Sequence, residues 1–247
     1  MPRFRQAGIS FGPPLTPMVK NLIIAMSAVF LLTYIPATYF HTDPIDYVGW
    51  FGLSPYFVLH KFYVWQLATY LFLHGGWFHI GFNLYALWMF GSDLEASWGA
   101  KKFLVYFFVT GIGAGILDVV LNDLLRSSVP TVTIGCSGAM YGVLLAYGMA
   151  FPERPVYIYG IIPVKTKWFV AGMGAIEFIS SFGNGSGISH FAHLGGMLFG
   201  FLFLRGGSLP FHWQRQFQDY QRAQMRKKFE VYMRDQEKKD KPGRWVN

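Results

Sequence analysis

Residues 135–151 read GCSGAMYGVLLAYGMAF, an apolar run that opens on a serine flanked by small residues. The run carries no charge, and Pro152 follows it directly. This pattern predicts a helix from Ser137 to Phe151. The helix would be about 22 Å long at roughly 1.5 Å per residue, against a hydrocarbon core of about 30 Å. If the helix ends at one membrane surface, Ser137 lies several ångströms below the other.

The composition of the whole chain supports a membrane setting. Of its 247 residues 53% are hydrophobic and 14% are charged, whereas soluble domains are about 25% charged. The 25 Phe, 14 Tyr and 8 Trp residues suit lipid-facing and interfacial positions. A disordered chain and a nucleic-acid-binding module are therefore excluded. The single Cys excludes an internal disulfide framework and a thiolate metal cluster.

Several apolar runs approach the length of a membrane span. The second run could begin as early as Leu67 if Gly75-Gly76 does not interrupt it. We predict an all-α membrane protein in which six transmembrane helices form a bundle. We also expect the aromatic loop 41–76 to fold into short helices at the outer leaflet. The six runs are Met18–Phe40, Phe78–Phe90, Phe103–Leu121, Ser137–Phe151, Trp168–Phe182 and His190–Leu204.

Charge distribution predicts the orientation. With six spans, all of the 21 Lys and Arg residues except Lys61 and Arg126 fall on one side. The positive-inside rule places that side, and both termini, in the cytoplasm. No cleavage site follows the first apolar run, so we expect it to remain as an anchor, and a bacterial inner membrane is the favoured location. The predicted regions are a cytoplasmic segment 1–17, a six-helix domain 18–205 and a basic cytoplasmic tail 206–247.

The basic tail has two interpretations. It is either a solvated, partly helical segment or an amphipathic helix lying on anionic lipid. The irregular spacing of its apolar residues favours the solvated segment. The sequence gives no indication of an oligomeric state.

Polar side chains lie inside three predicted spans, where lipid makes them costly. Each alone could be a packing residue or an interhelical hydrogen bond. All lie near the outer ends of spans that run in the same direction, so they can meet at one depth, in a water-filled pocket open to the outside. They are His79 and Asn83 in the second span, Ser137 and Tyr141 in the fourth, and His193 in the sixth.

These residue types favour nucleophilic catalysis. A serine hydroxyl needs a base to remove its proton, and histidine titrates near neutrality. Ser137 as nucleophile and His193 as base could attack an amide carbonyl. The sequence places no carboxylate near His193, so we predict a dyad rather than a triad. The developing oxyanion needs preorganised donors. The candidates are His79, Asn83 and the backbone N–H of Ser137 or Cys136.

Small residues accompany the predicted pair. Gly135 and Gly138 would keep side chains away from the substrate backbone, and Tyr141 could stack on the imidazole. Gly196 would let the sixth span approach the fourth. Gly196 and Gly200 form a G-x-x-x-G pair, which in an apolar helix usually means only close packing. The same spacing occurs elsewhere in the chain, so it discriminates little.

Together these motifs resemble the rhomboid intramembrane serine proteases. The resemblance covers about residues 18–204 and includes the order of the motifs. It implies a six-helix core, no metal or cofactor, and cleavage of membrane-anchored proteins in or near their transmembrane segment. By position it makes Ser137 the nucleophile, His193 the base, His79 and Asn83 oxyanion donors, and Tyr141 a packing partner of His193. The matching motifs are His79-x-x-x-Asn83, Gly135-Cys136-Ser137-Gly138 with Tyr141, and His193-x-x-Gly196-x-x-x-Gly200.

The chain departs from the family at two places. Trp65-Gln66 stands where the family usually has Trp-Arg, so an expected ion pair with Glu95 is absent. Cys136 before the serine is unusual. A thiol nucleophile at Cys136 is conceivable, but its position on the helix would aim it away from His193.

Two other classes of function remain open. A catalytically inactive relative would bind membrane clients without cutting them, but such relatives typically lose the serine or the histidine. A transporter or channel would need polar residues along a continuous path. Asp118 and Glu177, inside or near apolar runs, are the residues that favour this class.

Overall fold

A computed structural model describes residues 12–39, 44–126, 131–158, 160–183 and 189–206, together with 226, 229–230 and 232–234. The described residues are mostly helical. They belong to two compact units, one within residues 1–208 and one within 209–247. The predicted segment 1–17 and tail 206–247 lie largely outside the described residues. The described helices are α1 (Pro17–Tyr39), α2 (Pro44–Phe51), α3 (Pro55–Lys61), α4 (Gln66–Thr69), α5 (Trp77–Ala86), α6 (Ser92–Trp98), α7 (Ala100–Arg126), α8 (Ser137–Ala150), α9 (Thr166–Ser180) and α10 (His190–Arg205).

Each of the six predicted apolar runs falls on a helix. The second run begins at α5 and not at Leu67, because the chain is extended at Leu73 and Gly75-Gly76 precedes the helix. A π-helical segment, Leu87–Gly91, joins α5 to α6, so the helix continues beyond the predicted end at Phe90. The predicted start of α8 at Ser137 coincides with the observed one.

Two described helices pass a length and hydropathy criterion for crossing a membrane. They are Pro17–Thr38, with a mean hydropathy of 1.8, and Ala100–Leu125, with 2.1. Large apolar side chains are also exposed on other helices, including Phe78 at 85% and Ile179 at 70%. Exposed apolar surface of this kind suits contact with lipid. The six-span count itself stays a prediction.

Helices α7, α8 and α10 pack against one another at the centre of the first unit. Glycines allow this close packing, because a Cβ added at Gly196 would lie 1.8 Å from the carbonyl oxygen of Gly138. A Cβ at Gly200 would lie 2.5 Å from the hydroxyl of Tyr106. That same hydroxyl donates a hydrogen bond of 2.6 Å to the carbonyl of Gly142, which ties α7 to α8. The predicted close approach of the sixth span to the fourth is therefore present.

The aromatic loop folds into the short helices α2, α3 and α4. Gln66 is fully buried and holds the loop through its side-chain amide. Its Nε2 donates to the carbonyl of Gly49 at 2.8 Å, and its Oε1 accepts from the N–H of Ser54 at 3.1 Å. An amide thus anchors the loop at the position where the resemblance implies an arginine.

Glu95 has a different partner from the one that the resemblance implies. Its carboxylate accepts hydrogen bonds from the N–H groups of Met18 at 2.9 Å and Val19 at 2.8 Å. These N–H groups belong to the first turn of α1, which has no intrahelical acceptor for them. The hydroxyl of Thr16 donates to the same carboxylate at 2.5 Å. Glu95 therefore caps α1 and fixes it against α6.

A two-stranded antiparallel hairpin, β1 (Pro155–Ile158) and β2 (Ile162–Lys165), joins α8 to α9. The prediction of a helical fold did not include this hairpin, which begins three residues after Pro152 ends the helix. Beside the hairpin, exposed Glu153 forms ion pairs with Lys165 at 2.8 Å and Lys167 at 2.5 Å. Hydrogen bonds from these two lysines lower the pKa of Glu153 to about 2.

Candidate active site

Ser137 is the first residue of α8, where free N–H groups and the positive end of the helix dipole meet. The chain reaches it through Gly135, whose φ of +110° suits glycine. The N–H of Gly135 donates to the carbonyl of Tyr70 at 2.9 Å, and Thr133 exchanges backbone hydrogen bonds with Leu53. Protein partners thus satisfy backbone groups of Thr133 and Gly135 in the non-helical segment before the serine, which suits its predicted depth.

The structure brings Ser137 and His193 together. The hydroxyl oxygen of Ser137 lies 2.7 Å from Nε2 of His193, across the α8–α10 contact. The ring of Tyr141 stacks on that of His193, with 4.2 Å between centroids and 16° between planes. Because His193 is only 7% exposed, the imidazole is held in one orientation by packing. This is the geometry that a nucleophile and its base need.

A carboxylate also lies beside His193, so the expectation that none is near is wrong. Oε1 of Glu177, on α9, lies 3.0 Å from Nδ1 of His193. The hydroxyl of Tyr141 donates to the same oxygen, and Nδ1 of His190 lies 2.6 Å from Oε2. A carboxylate inside an apolar run is the sequence feature that marks Glu177 as a candidate functional residue. The sequence did not indicate which way its side chain points.

His79 and Asn83 lie one turn apart on α5, which packs near the start of α8. A Cβ added at Gly135 would lie 2.5 Å from Nε2 of His79, so this imidazole covers the turn before Ser137. Nδ1 of His79 accepts from the N–H of Gly75 at 3.3 Å. The amide of Asn83 donates to the carbonyl of His79 at 2.9 Å. An amide carries two donor hydrogens, and this hydrogen bond uses one of them.

Cys136 is fully buried, and its sulfur lies 3.8 Å from Nε2 of His74. His74 and His79 are edge-to-face neighbours, with 5.1 Å between ring centroids. The thiol therefore contacts a histidine other than His193. This geometry disfavours the alternative in which Cys136 is the nucleophile.

Asp118 supports the site from α7. Its carboxylate accepts hydrogen bonds from Asn122 at 2.8 Å and Thr133 at 2.9 Å, and also from the hydroxyl of Ser189. Ser189 in turn accepts from the N–H of Ala192 and caps α10. Asp118 thus ties the segment before Ser137 and the start of α10 to α7. With these hydrogen bonds it is a structural residue, which disfavours the transport class.

Glu177, His190 and His193 are the residues, within the described part of the chain, whose ligand atoms could jointly hold a metal ion. These atoms all lie within 4.8 Å of one another. In the structure these atoms contact one another directly, because the Nδ1 atoms of both histidines face the carboxylate oxygens of Glu177. The prediction that the site needs no metal or cofactor stays a prediction.

Fold and site together define a helical protein in which a half-buried serine at the start of α8 contacts a buried histidine of α10. The rhomboid domain family model matches residues 61–208 of the sequence. The chain belongs to the rhomboid family, whose members are integral membrane proteins.

Curated relatives come from distant organisms. The chain is 28% identical over 222 residues to rhomboid protein 1, mitochondrial, of Saccharomyces cerevisiae, covering 80% of this chain and 59% of the relative. It is 34% identical over 140 residues to rhomboid-like protease 5 of Toxoplasma gondii, covering 54% and 15%. It is 27% identical over 193 residues to rhomboid protease GlpG of Yersinia pestis, covering 76% and 61%. The chain thus spans less than two thirds of the length of each.

Proposed function

We propose that this protein is an intramembrane serine endopeptidase that cleaves single-span membrane proteins in or near their transmembrane segment. The observation that carries the proposal is the 2.7 Å contact between Ser137 Oγ and His193 Nε2. This contact lies at a helix N-terminus, where backbone N–H groups favour developing negative charge. Two of the three relatives above are named as proteases, which supports the same activity.

Proton transfer drives the proposed reaction. Nε2 of His193 takes the hydroxyl proton of Ser137 as Oγ bonds to the scissile carbonyl carbon, and the carbonyl π electrons move onto oxygen. The oxyanion electrons then re-form the carbonyl as the scissile C–N bond breaks, the imidazolium gives its proton to the leaving amine, and an acyl-enzyme remains. Water, activated by the same imidazole, hydrolyses this ester. His79, Asn83 and backbone N–H groups stabilise the oxyanion in both steps.

The glycines give the substrate access to the serine. Gly135 and Gly138 place backbone, and no side chain, on either side of the Cys136-Ser137 pair. Gly196 and Gly200 allow the α8–α10 contact that holds the serine and histidine together. Tyr141 keeps the imidazole in place through ring stacking.

We propose that six spans form the domain 18–205, with segment 1–17 and the basic tail 206–247 in the cytoplasm. The spans correspond to α1, α5–α6, α7, α8, α9 and α10. A bacterial inner membrane is the favoured location, and the lipid bilayer and membrane-anchored substrates are the proposed partners. In this orientation the end of α9 faces outside and the β1–β2 hairpin faces the cytoplasm.

Single cysteines at two exposed positions test this orientation. We expect Phe182→Cys to react with an impermeant maleimide added outside whole cells, and Ile161→Cys to react only after the membrane is opened. Both side chains are more than 70% exposed, at 75% and 79%. Native Cys136 is fully buried and should contribute no background. Labelling of Ile161→Cys in intact cells would contradict the proposed topology and indicate the opposite orientation.

The oxyanion role of Asn83 predicts a selective effect on turnover. We expect Asn83→Ala to lower kcat by about 10²-fold, the typical effect of removing one oxyanion donor, and to change KM little. Kinetics with a single-span substrate in proteoliposomes measure both constants. An unchanged kcat would remove Asn83 from the mechanism, and a lowered melting temperature with unchanged kcat would indicate a packing role.

The proposed function itself is tested by incubating the purified full-length protein with a tagged single-span substrate in proteoliposomes. Cleavage that depends on Ser137 supports the peptidase. Stable co-purification of the substrate without cleavage, across several single-span substrates, would favour the inactive client-binding relative.

A further inference from the structure

Glu177 is a buried carboxylate in α9, where the other residues from Trp168 to Ser180 are apolar or small. It is 6% exposed. Within the described part of the chain, its ion-pair partners are His190, at 2.6 Å, and His193, at 3.0 Å. A buried carboxylate is costly unless hydrogen bonds and a compensating charge accompany it. Here the groups that can supply positive charge are imidazoles, and one of them is the proposed catalytic base.

We propose that Glu177 is a positioning residue for His193, which makes the site a Ser–His–Glu arrangement instead of a dyad. This inference rests on the proposed peptidase function. The carboxylate favours the tautomer in which Nδ1 of His193 carries the proton. The lone pair of Nε2 then faces the hydroxyl of Ser137 at 2.7 Å, ready to accept its proton. When that transfer makes an imidazolium, the carboxylate stabilises the new positive charge.

Tyr141 and His190 fix the carboxylate itself. The hydroxyl of Tyr141 donates to Oε1, the oxygen that faces His193, while Nδ1 of His190 contacts Oε2. Tyr141 thus acts twice, because its ring stacks on His193 while its hydroxyl holds Glu177. A carboxylate held at both oxygens has little freedom to rotate away from the imidazole.

The Nδ1–Oε1 contact is close but not yet a well-aligned hydrogen bond. The two atoms lie 3.0 Å apart, and among the described residues no acceptor is aligned with Nδ1 of His193. Catalytic hydrogen bonds are often poorly aligned without substrate and tighten as charge develops. We therefore expect Glu177 to act mainly on the transition state, where His193 is cationic, and to contribute little to substrate binding.

Three variants test the inference in the full-length protein with a single-span substrate. Glu177→Gln keeps the size of the side chain and removes its charge, so we expect kcat to fall by about 10²–10⁴-fold with little change in KM. Glu177→Asp restores the charge on a shorter side chain. Its kcat should be at least about tenfold higher than that of Glu177→Gln. Tyr141→Phe keeps the stacked ring and removes the donor to Oε1, so a smaller fall in kcat is expected.

Glu95→Gln is the matched control, because it neutralises another buried carboxylate of the same unit, one whose partners are the N–H groups at the start of α1 and not His193. We expect this control to lower the melting temperature while kcat stays close to the wild-type value. If Glu177→Gln behaves in the same way, or if Glu177→Asp is as impaired as Glu177→Gln, Glu177 is a structural tie and the inference is wrong. Should Glu177→Gln fail to fold, Tyr141→Phe with wild-type kcat would overturn it. Absence of cleavage by the wild-type protein would contradict the proposed function instead.

Discussion

We expect Ser137→Ala and His193→Ala each to lower the rate of substrate cleavage by at least about 10³-fold, and the double variant to lose little more. Residues that act as one unit show this non-additivity, because removing either member disables the other. The 2.7 Å contact between Ser137 and His193 is the reason to expect it here. Initial rates in proteoliposomes, with a tagged single-span substrate, measure the effect.

The control for this comparison is Phe178→Ala, which truncates an exposed side chain of α9 that is 56% exposed. Its rate should stay close to that of the wild type. Equal cleavage by the wild type and both active-site variants would mean that a contaminating protease is responsible. Effects of the two single variants that multiply in the double variant would mean that the residues act independently.

The second large effect is expected from Gly196→Ala. The new Cβ would lie 1.8 Å from the carbonyl oxygen of Gly138, and backbone cannot move aside cheaply. Overpacking of this kind costs about 3 kcal/mol. Separation of α8 from α10 would also misplace His193 relative to Ser137. We therefore expect the cleavage rate to fall by about 10²-fold.

Gly172→Ala is the matched control, because a Cβ at this helical position of α9 meets no atom within 4 Å. Alanine is the better helix former by up to about 1 kcal/mol, so this variant should be as stable as the wild type or more so. Thermal unfolding in detergent and cleavage rates measure both variants. A Gly196→Ala protein with wild-type stability and rate would contradict the close α8–α10 contact.

The sequence predicted the site best where local pattern determines geometry. The start of α8 at Ser137 follows from the small residues before it and the uninterrupted apolar run after it. The identity of the Ser–His pair followed from residue chemistry and from the direction of the spans. Neither prediction needed knowledge of how a helix is rotated about its own axis.

The sequence could not predict how α9 is rotated about its own axis. Its pattern marks Glu177 as unusual, but only packing against α8 and α10 turns the carboxylate toward Tyr141, His190 and His193. The β1–β2 hairpin was missed for another reason, since it is short and lies between two strongly apolar runs. Gln66 shows a third limit, because its anchoring contacts are to backbone groups 12 and 17 residues away in the chain.

Labelling with a fluorophosphonate tests most directly whether His193 activates the Ser137 hydroxyl. The reagent modifies a serine only when a base makes it nucleophilic, and mass spectrometry identifies the residue that carries the adduct. We predict one adduct, on Ser137 of the native protein, and at least about 10³-fold slower labelling of His193→Ala. A native protein that cleaves substrate but never acquires the adduct on Ser137, or that is labelled equally fast without His193, would contradict the account.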